Sequence, residues 1–181
     1  GYTGTLSGAS RGTAYHKFLE LLDFGHSYTI SQLYAEAEKF CEEGKMQPEM
    51  MESIYYNDIL GLLESPLGLR LRKAAQSGCL KKEQPFVLGV SADTIYPELF
   101  ERQEEEEELL IVQGIIDVYF EEADGIVVVD YKTDRAASRE ELAERYEKQL
   151  SYYGEVLERL TGKRVKEKII YSFARKEEVR V

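Results

Sequence analysis

The feature that most constrains the fold is a pair of β-forming runs in residues 109–134, LLIVQGIIDVYFEEADGIVVVDYKTD. Valine, isoleucine and aromatic residues dominate both runs, and such residues favour β-strands. The runs are separated by Asp124-Gly125, a dipeptide suited to the two-residue type I′ turn of a tight hairpin. We therefore predict an antiparallel hairpin with residues 124 and 125 in its turn.

This predicted turn fixes which side chains of the two strands meet. It sets Asp117 opposite Lys132 and Tyr119 opposite Asp130, with all four side chains on one face of the hairpin. Asp117 and Asp130 are then diagonal neighbours, with Cβ atoms about 7–8 Å apart. A loop with an odd number of residues would turn one strand over and separate these groups.

Helical periodicity and capping residues predict the other elements. Helices are expected over 10–24, 31–43 with Ser31 as N-cap, 48–63, 65–78 and 138–160. Strands are expected from Leu80, where Pro85 indicates an edge strand or a bulge, and over 164–174. A strand, a helix and a strand in succession imply a parallel pair beside the hairpin. We expect an α/β fold with a mixed central β-sheet flanked by helices, in one structural domain with a helical part over 1–78 and a core over 79–181.

Composition limits the classes to which the chain can belong. Of its 181 residues 43% are hydrophobic, which suits an ordered domain and excludes a low-complexity chain. No run of eighteen apolar residues and no signal-peptide pattern is present, so we expect a cytoplasmic protein without a membrane span. Because the chain does not begin with Met, we expect it to be a piece of a longer protein. Cys41 and Cys79 lack CxxC spacing, which disfavours a disulfide framework, a zinc site and an iron–sulfur cluster.

The distribution of charge limits how a polyanion could be bound. The net charge of −11 opposes nucleic-acid binding by bulk electrostatics, so that any polyanionic partner must be held locally. Residues 132–176 carry twelve Lys or Arg against eight Asp or Glu, which is consistent with a strand channel or with an ordinary solvated helix. The run from Glu98 to Glu108 has seven Glu and one Arg and is typical of a solvated connector.

Two acidic groups and a lysine meet where a buried strand ends. The run IVVVDYK has almost no polar residue before Asp130, so both faces of this strand are expected to be covered. Active sites of open α/β sheets collect at such strand ends. Converging carboxylates suit Mg²⁺, which phosphodiester cleavage uses to polarise phosphate and activate water, and a neighbouring lysine can stabilise the developing charge. A cross-strand salt bridge on a wet surface, worth about 0.2–1 kcal/mol, is the alternative.

The ordered set of motifs resembles a known family. The string GIIDVYF…VVVDYKTD, with Asp117 thirteen residues before Asp130, is similar to the motif of PD-(D/E)xK nucleases in their RecB-like form. Gln149 and Tyr153 match the QxxxY helix motif of that family, and His16 in RGTAYHKFLE matches its helical histidine. The resemblance spans 12–173 and implies a restriction-endonuclease-like fold. It is greatest to the nuclease domains of AddA-type helicase–nucleases.

The resemblance implies a metal site and a catalytic set. His16, Asp117 and Asp130, together with the backbone carbonyl of Tyr131, would bind Mg²⁺, with Mn²⁺ also accepted. Lys132 would be the catalytic lysine, acting with Asp117 and Asp130. No iron–sulfur cluster is expected, because the four cysteines that hold one in some relatives are absent. The implied activity is exonucleolytic hydrolysis of DNA.

The resemblance also implies a substrate and partners. Gln149 and Tyr153, neighbours on one helix face, would position DNA, and Glu83 resembles a further acidic position. The expected substrate is single-stranded DNA, in double-strand break processing and recombinational repair. The expected partners are helicase domains of the same parent chain and a separate AddB-type protein, and no membrane is expected.

Without the resemblance, other interpretations of the same residues stay open. His16 would be a packing residue with a hydrogen bond, Gln149 a residue on a helix flank, and Tyr153 part of the core. The chain as a whole could be a catalytically silent structural or protein-interaction module of a helicase complex. A stand-alone restriction-type endonuclease would need a sequence-reading surface, and we identify none.

Overall fold

The fold is seen in a computed structural model that describes residues 8–91, 109–136 and 138–181. In chain order the helices and strands are α1 (Gly8–Leu21), α2 (Ile30–Glu42), α3 (Pro48–Ser53), α4 (Tyr56–Glu64), α5 (Pro66–Gln76), β1 (Leu80–Ser91), β2 (Leu109–Glu122), β3 (Gly125–Lys132), α6 (Arg139–Thr161), β4 (Val165–Ser172) and β5 (Glu177–Arg180). The predicted α/β class is confirmed. The run from Glu98 to Glu108 lies outside the described residues, and no described helix is long and apolar enough to cross a membrane.

The strands form one mixed sheet in the order β1-β2-β3-β4-β5. β3 and β4 are parallel, as the crossover through α6 predicts, and the other pairs are antiparallel. β1 lies at an edge, where Pro85 leaves few ladder bonds unmade. The strand β5 was not predicted, because its four residues, EEVR, carry no strand pattern of their own.

Two predicted helix boundaries were wrong. Thr29, not Ser31, is the N-cap of α2, and it shares a reciprocal capping box with Gln32. The predicted helix over 48–63 is divided into α3 and α4 by extended backbone at Ile54. A tertiary contact accounts for the break, since Ile54 is buried and the next residue, Tyr55, donates its backbone N–H to the hydroxyl of Tyr15.

The hairpin is confirmed, but its predicted register was wrong by two positions. Glu122 pairs with Gly125, so the turn consists of Ala123 and Asp124, and Tyr119 faces Val128 rather than Asp130. A Cβ placed on Gly125 would lie 2.8 Å from the carbonyl oxygen of Arg164. Glycine is therefore needed where β3 enters the sheet beside β4, and not for the turn.

The even shift keeps the predicted groups on one face. One step beyond the last pair of the ladder, Val118 with Val129, Asp117 lies opposite Asp130 instead of opposite Lys132. The two aspartates are therefore direct neighbours and not the predicted diagonal pair. The closer approach increases the electrostatic repulsion between their carboxylates.

Helices cover both faces of the sheet. On one face α1 to α5 bury Val127, Val129 and Tyr131 of β3. On the other face α6 covers Ile126 and Val128 of the same strand. The alternation explains why β3 has almost no polar positions before Asp130.

The outer part of the β1-β2 hairpin changes layers at Glu83 and Asp117. Before this point an even-numbered residue, Val118, packs against α1 to α5; beyond it the even-numbered Ile116 and Phe86 pack against the α6 layer. Glu83, opposite Asp117 in the register, has a φ of +50° that is unusual for a non-glycine residue. The kink brings groups from both layers to one place.

The Arg70 guanidinium ties the helical layer to the sheet. It donates to Glu122 of β2 and to Glu167 of β4, with nitrogen–oxygen distances of 2.7 and 2.6 Å. The hydrogen bond from Arg70 is the largest influence on Glu122 and lowers the pKa of this carboxyl to about 2.

We expect Arg70→Met to lower the free energy of unfolding near neutral pH by about 1–3 kcal/mol, because it leaves two half-buried carboxylates without their partner. Since the folded-state pKa of Glu122 is depressed, its contribution is present above pH 4.5 and lost as the pH falls towards 2. The difference from wild type should therefore shrink in acid, as measured by urea unfolding at several pH values. Arg72→Met, a change in the same helix at a residue without an ion pair among the described residues, should have a smaller effect; equal losses would contradict the prediction.

Candidate active site

The candidate site lies where β2 separates from β3 and where residues from both helical layers meet. Asp117 and Asp130, on these two strands, are buried, with exposed fractions of 8% and 3%. Charged carboxylates are rarely buried without a partner, because loss of hydration is costly. Their surroundings therefore decide what the site can do.

Asp117 closes the gap between the strands with its side chain. Its Oδ2 accepts a hydrogen bond from the backbone N–H of Tyr131 at 2.8 Å and one from Nε2 of His16 at 3.1 Å. The carboxylate thereby takes the place of a backbone carbonyl at the point where the ladder ends. Tyr131 thus enters the site through its backbone N–H, while the predicted role of its carbonyl stays a prediction.

His16 is held in one orientation by α1. Its Nδ1 donates to the carbonyl oxygen of Gly12, one turn earlier, at 2.8 Å, which directs Nε2 towards Asp117. Burial alone would lower the pKa of the imidazole, but the hydrogen bond and charge of Asp117 raise it to about 9. His16 is therefore a cation beside Asp117 near neutral pH.

Asp130 is crowded and incompletely paired. Lys132 Nζ lies 3.0 Å from its Oδ2, yet that oxygen accepts no hydrogen bond of good geometry. Burial, and then the charge of Asp117, raise the pKa of Asp130 well above the usual range of a carboxyl. The pair of aspartates is therefore short of positive charge.

Lys132 is positioned by α6. Its Nζ donates to Oε1 of Gln149 at 3.1 Å and lies 4.1 Å from the centre of the Tyr146 ring. Gln149 Nε2 donates to the hydroxyl of Tyr153 at 2.9 Å, and that hydroxyl donates to the carbonyl of Ile115 on β2 at 3.3 Å. The chain of hydrogen bonds links the lysine to the kinked strand.

Tyr146 is a site residue that the sequence analysis missed. It was assigned only to the apolar face of its helix, but its ring contacts Lys132. Its position, three residues before Gln149, was the available signal, because such residues are neighbours on a helix. Tyr153 is 4% exposed, so its ring is part of the core while its hydroxyl serves the site.

Glu83 joins the site from β1. It is opposite Asp117, and burial followed by the charges of Asp117 and Glu20 raises its pKa to about 7. Its left-handed backbone costs about 1–3 kcal/mol, a strain that proteins tolerate mainly where a side chain must be aimed. Glu83 therefore adds a third carboxyl beside the two aspartates.

The donor set suits a hard divalent cation. Three buried or half-buried carboxyls and an imidazole adjoin, and Oδ2 of Asp130 lacks an aligned partner. Mg²⁺ and Mn²⁺ prefer such oxygen-rich surroundings. Within residues 8–91, 109–136 and 138–181, however, no three His, Cys, Asp or Glu side chains stand close enough to hold an ion as they are. Binding would require small side-chain movements, with His16 losing its proton.

Comparison with known proteins places this arrangement in context. The family described as the PD-(D/E)XK nuclease superfamily matches residues 3–180. Proteins named as the ATP-dependent helicase/nuclease of the AddA type, its first subunit, are similar to the chain: that of Lachnoclostridium phytofermentans is 39% identical over 97% of the chain, that of Clostridium novyi 36% over 97%, and that of Carboxydothermus hydrogenoformans 38% over 96%. The matches cover 15%, 14% and 14% of these relatives, so the chain spans about a seventh of their length.

Proposed function

Because the chain belongs to the PD-(D/E)XK nuclease superfamily, we propose that it is the DNA-cleaving domain of a helicase–nuclease and that it hydrolyses phosphodiester bonds with Mg²⁺ or Mn²⁺. The observation that carries the proposal is the meeting of Asp117, Asp130 and Lys132 at one strand end, with Asp130 in need of a cation. A silent structural module has no use for so costly a cluster of buried charge.

Each residue of the site has a proposed role. His16, Asp117 and Asp130, with the carbonyl of Tyr131, would hold the metal ion. When bound, the ion supplies Lewis acidity at the phosphoryl oxygen and lowers the pKa of a water molecule. The ammonium group of Lys132 orients the attacking water and offsets the negative charge that develops on phosphate.

The remaining groups support this set. Gln149 and Tyr153 keep Lys132 and the kinked β2 in place, and through them position the DNA strand. Glu83 is a further acidic group for the ion or its waters.

The wider role follows from the relatives. The name of the relatives joins a helicase to a nuclease. We therefore propose that helicase domains of a longer parent chain deliver single-stranded DNA to this site for exonucleolytic cleavage, in double-strand break repair and recombination. A separate AddB-type protein would be the partner.

A metal titration and a cleavage assay test the proposal together. We expect Mg²⁺ or Mn²⁺ to raise the melting temperature of the 181-residue chain, because an ion at about 100 times its Kd stabilises the folded state by about 2.7 kcal/mol. The same ions should permit cleavage of a labelled single-stranded oligonucleotide, and excess chelator should abolish it. A chain that is neither stabilised nor active with either ion would be the silent module instead.

A further inference from the structure

A second feature, a groove of about 640 Å³, opens beside the candidate active site. Its size falls within the range of about 300–1,000 Å³ that is typical of ligand clefts. Its walls come from α1, from the junction of α3 and α4, from the segment after β3 and from the turn between β4 and β5. The residues used below are Arg11, Tyr15, Tyr55, Thr133, Arg135 and Lys176.

The groove is positive although the chain is strongly negative. Four of its lining residues are Arg or Lys and two are Asp or Glu, a local balance of +2 against −11 for the whole chain. Both acids already have partners: Asp58 accepts from the Tyr15 hydroxyl at 2.7 Å, and Glu177 accepts from Arg175 at 2.8 Å. The uncompensated charge in the groove is therefore cationic.

Three of the basic groups lack an acidic partner. Arg135 and Lys176 are exposed, and neither forms an ion pair with a residue that the structure describes. Arg11 likewise contacts no carboxylate of the described ranges, and its Nε is buried without a hydrogen bond. A buried guanidinium nitrogen without a partner is costly unless an anion completes its bonding.

Tyr55 forms an aromatic platform in the same groove. Its side chain is 57% exposed, which is unusual for a large aromatic residue. The guanidinium of Arg11 lies 4.5 Å from the ring centre and donates to the hydroxyl at 3.2 Å, while the Tyr15 hydroxyl accepts from the Tyr55 backbone. The ring is therefore held in place before any ligand arrives.

The groove is continuous with the candidate active site. Thr133 follows Lys132 directly, and Tyr15 precedes His16 on α1. A Cβ on Gly12, whose carbonyl orients His16, would lie 2.8 Å from Oγ1 of Thr133, so the two walls touch next to the site. A strand with one phosphate at the carboxylates could extend into the groove.

We propose that this groove binds the single-stranded DNA next to the bond that is cleaved. A base stacks on Tyr55, while Arg11, Arg135 and Lys176 contact phosphates. An aromatic platform within a basic groove is the arrangement that binds single strands of any sequence, because every base has a π-face. A duplex keeps its bases stacked within the helix and offers none to the ring. This inference rests on the proposed function, and it assigns a substrate-binding surface outside the catalytic set.

Binding without cleavage tests the groove directly. Anisotropy of a labelled single-stranded oligonucleotide is measured in chelator, so that no metal contributes. Tyr55→Ala should weaken binding about 5- to 30-fold, and Tyr55→Phe should restore most of it, since stacking needs the ring. Arg135→Gln or Lys176→Gln should reduce the slope of log K against log salt by about 0.7.

Matched controls and a small substrate separate this proposal from the catalytic one. Tyr34→Ala and Lys39→Gln remove an exposed tyrosine and an exposed lysine of α2, outside the groove, and should leave binding unchanged. Thymidine 5′-(p-nitrophenyl phosphate), too short to reach Tyr55, should be cleaved at the wild-type rate by all groove variants. Failure of wild type to cleave it would count against the proposed function alone. Wild-type oligonucleotide affinity in Tyr55→Ala and Arg135→Gln, or equal losses for duplex DNA, would overturn the groove assignment.

Discussion

Asp130→Asn is expected to reduce metal-dependent DNA cleavage at least about 10³-fold, because it removes a ligand of an ion that contributes several kcal/mol to transition-state stabilisation. Without metal the same variant should unfold with an unchanged or larger free energy. Asp130 is buried next to Asp117, and its Oδ2 lacks an aligned hydrogen bond. The amide removes the repulsion between the two carboxylates at nearly constant volume.

Initial cleavage rates and urea unfolding, both with and without Mg²⁺, check these opposite expectations on one variant. Stabilisation by metal should disappear together with activity. Asp124→Asn, a change at an exposed aspartate of the hairpin turn that is paired with Lys166, provides the control and should retain the wild-type rate. Activity near wild type in Asp130→Asn would exclude this carboxylate from the catalytic set.

The convergence of the site could be predicted because it depends on the parity of the hairpin loop and not on its detailed geometry. Moving the turn from residues 124–125 to 123–124 shifts every pair by two positions, so Asp117, Asp130 and Lys132 stay on the same face. The identity of direct and diagonal neighbours was not predictable. It depends on the approach of Arg164 to Gly125, a contact between residues far apart in sequence.

Features that arise from packing between layers left no local pattern in the sequence. The positive φ of Glu83 and the change of layers at Asp117 follow from how the β1-β2 hairpin packs on α6. The break at Ile54 follows from its burial under α1. The groove unites four distant segments, each of which has an ordinary solvated composition when considered alone.

The charge of the chain and its proposed substrate are compatible because positive potential is local. The catalytic carboxylates require a cation, which converts an anionic strand end into a phosphate site. The basic groove beside it supplies the rest. Acidic surfaces elsewhere repel DNA, which favours strands presented at the groove over adventitious contacts.

Lys132→Met is expected to lower the rate of cleavage about 10²- to 10⁴-fold, the range that a positioned proton-transfer or charge-stabilising group contributes. Unlike Asp130→Asn, it should leave stabilisation by Mg²⁺ in place, because the proposed ion ligands are intact. Lys148→Met, a change at an exposed lysine of α6, is the control and should retain the wild-type rate. Rates and thermal shifts measured on the same preparations distinguish loss of chemistry from loss of the ion.

Gln149→Leu extends this prediction to the positioning of the lysine. Without its acceptor at 3.1 Å, Nζ of Lys132 keeps Asp130 and the Tyr146 ring as neighbours but loses the link to Tyr153. We expect a decrease of about 10- to 100-fold in kcat, as for other residues that orient a catalytic group. In Lys132→Met the further change Gln149→Leu should have almost no additional effect, since the group that it orients is gone. Multiplicative losses in the double variant would mean that Gln149 acts on DNA directly and not through the lysine.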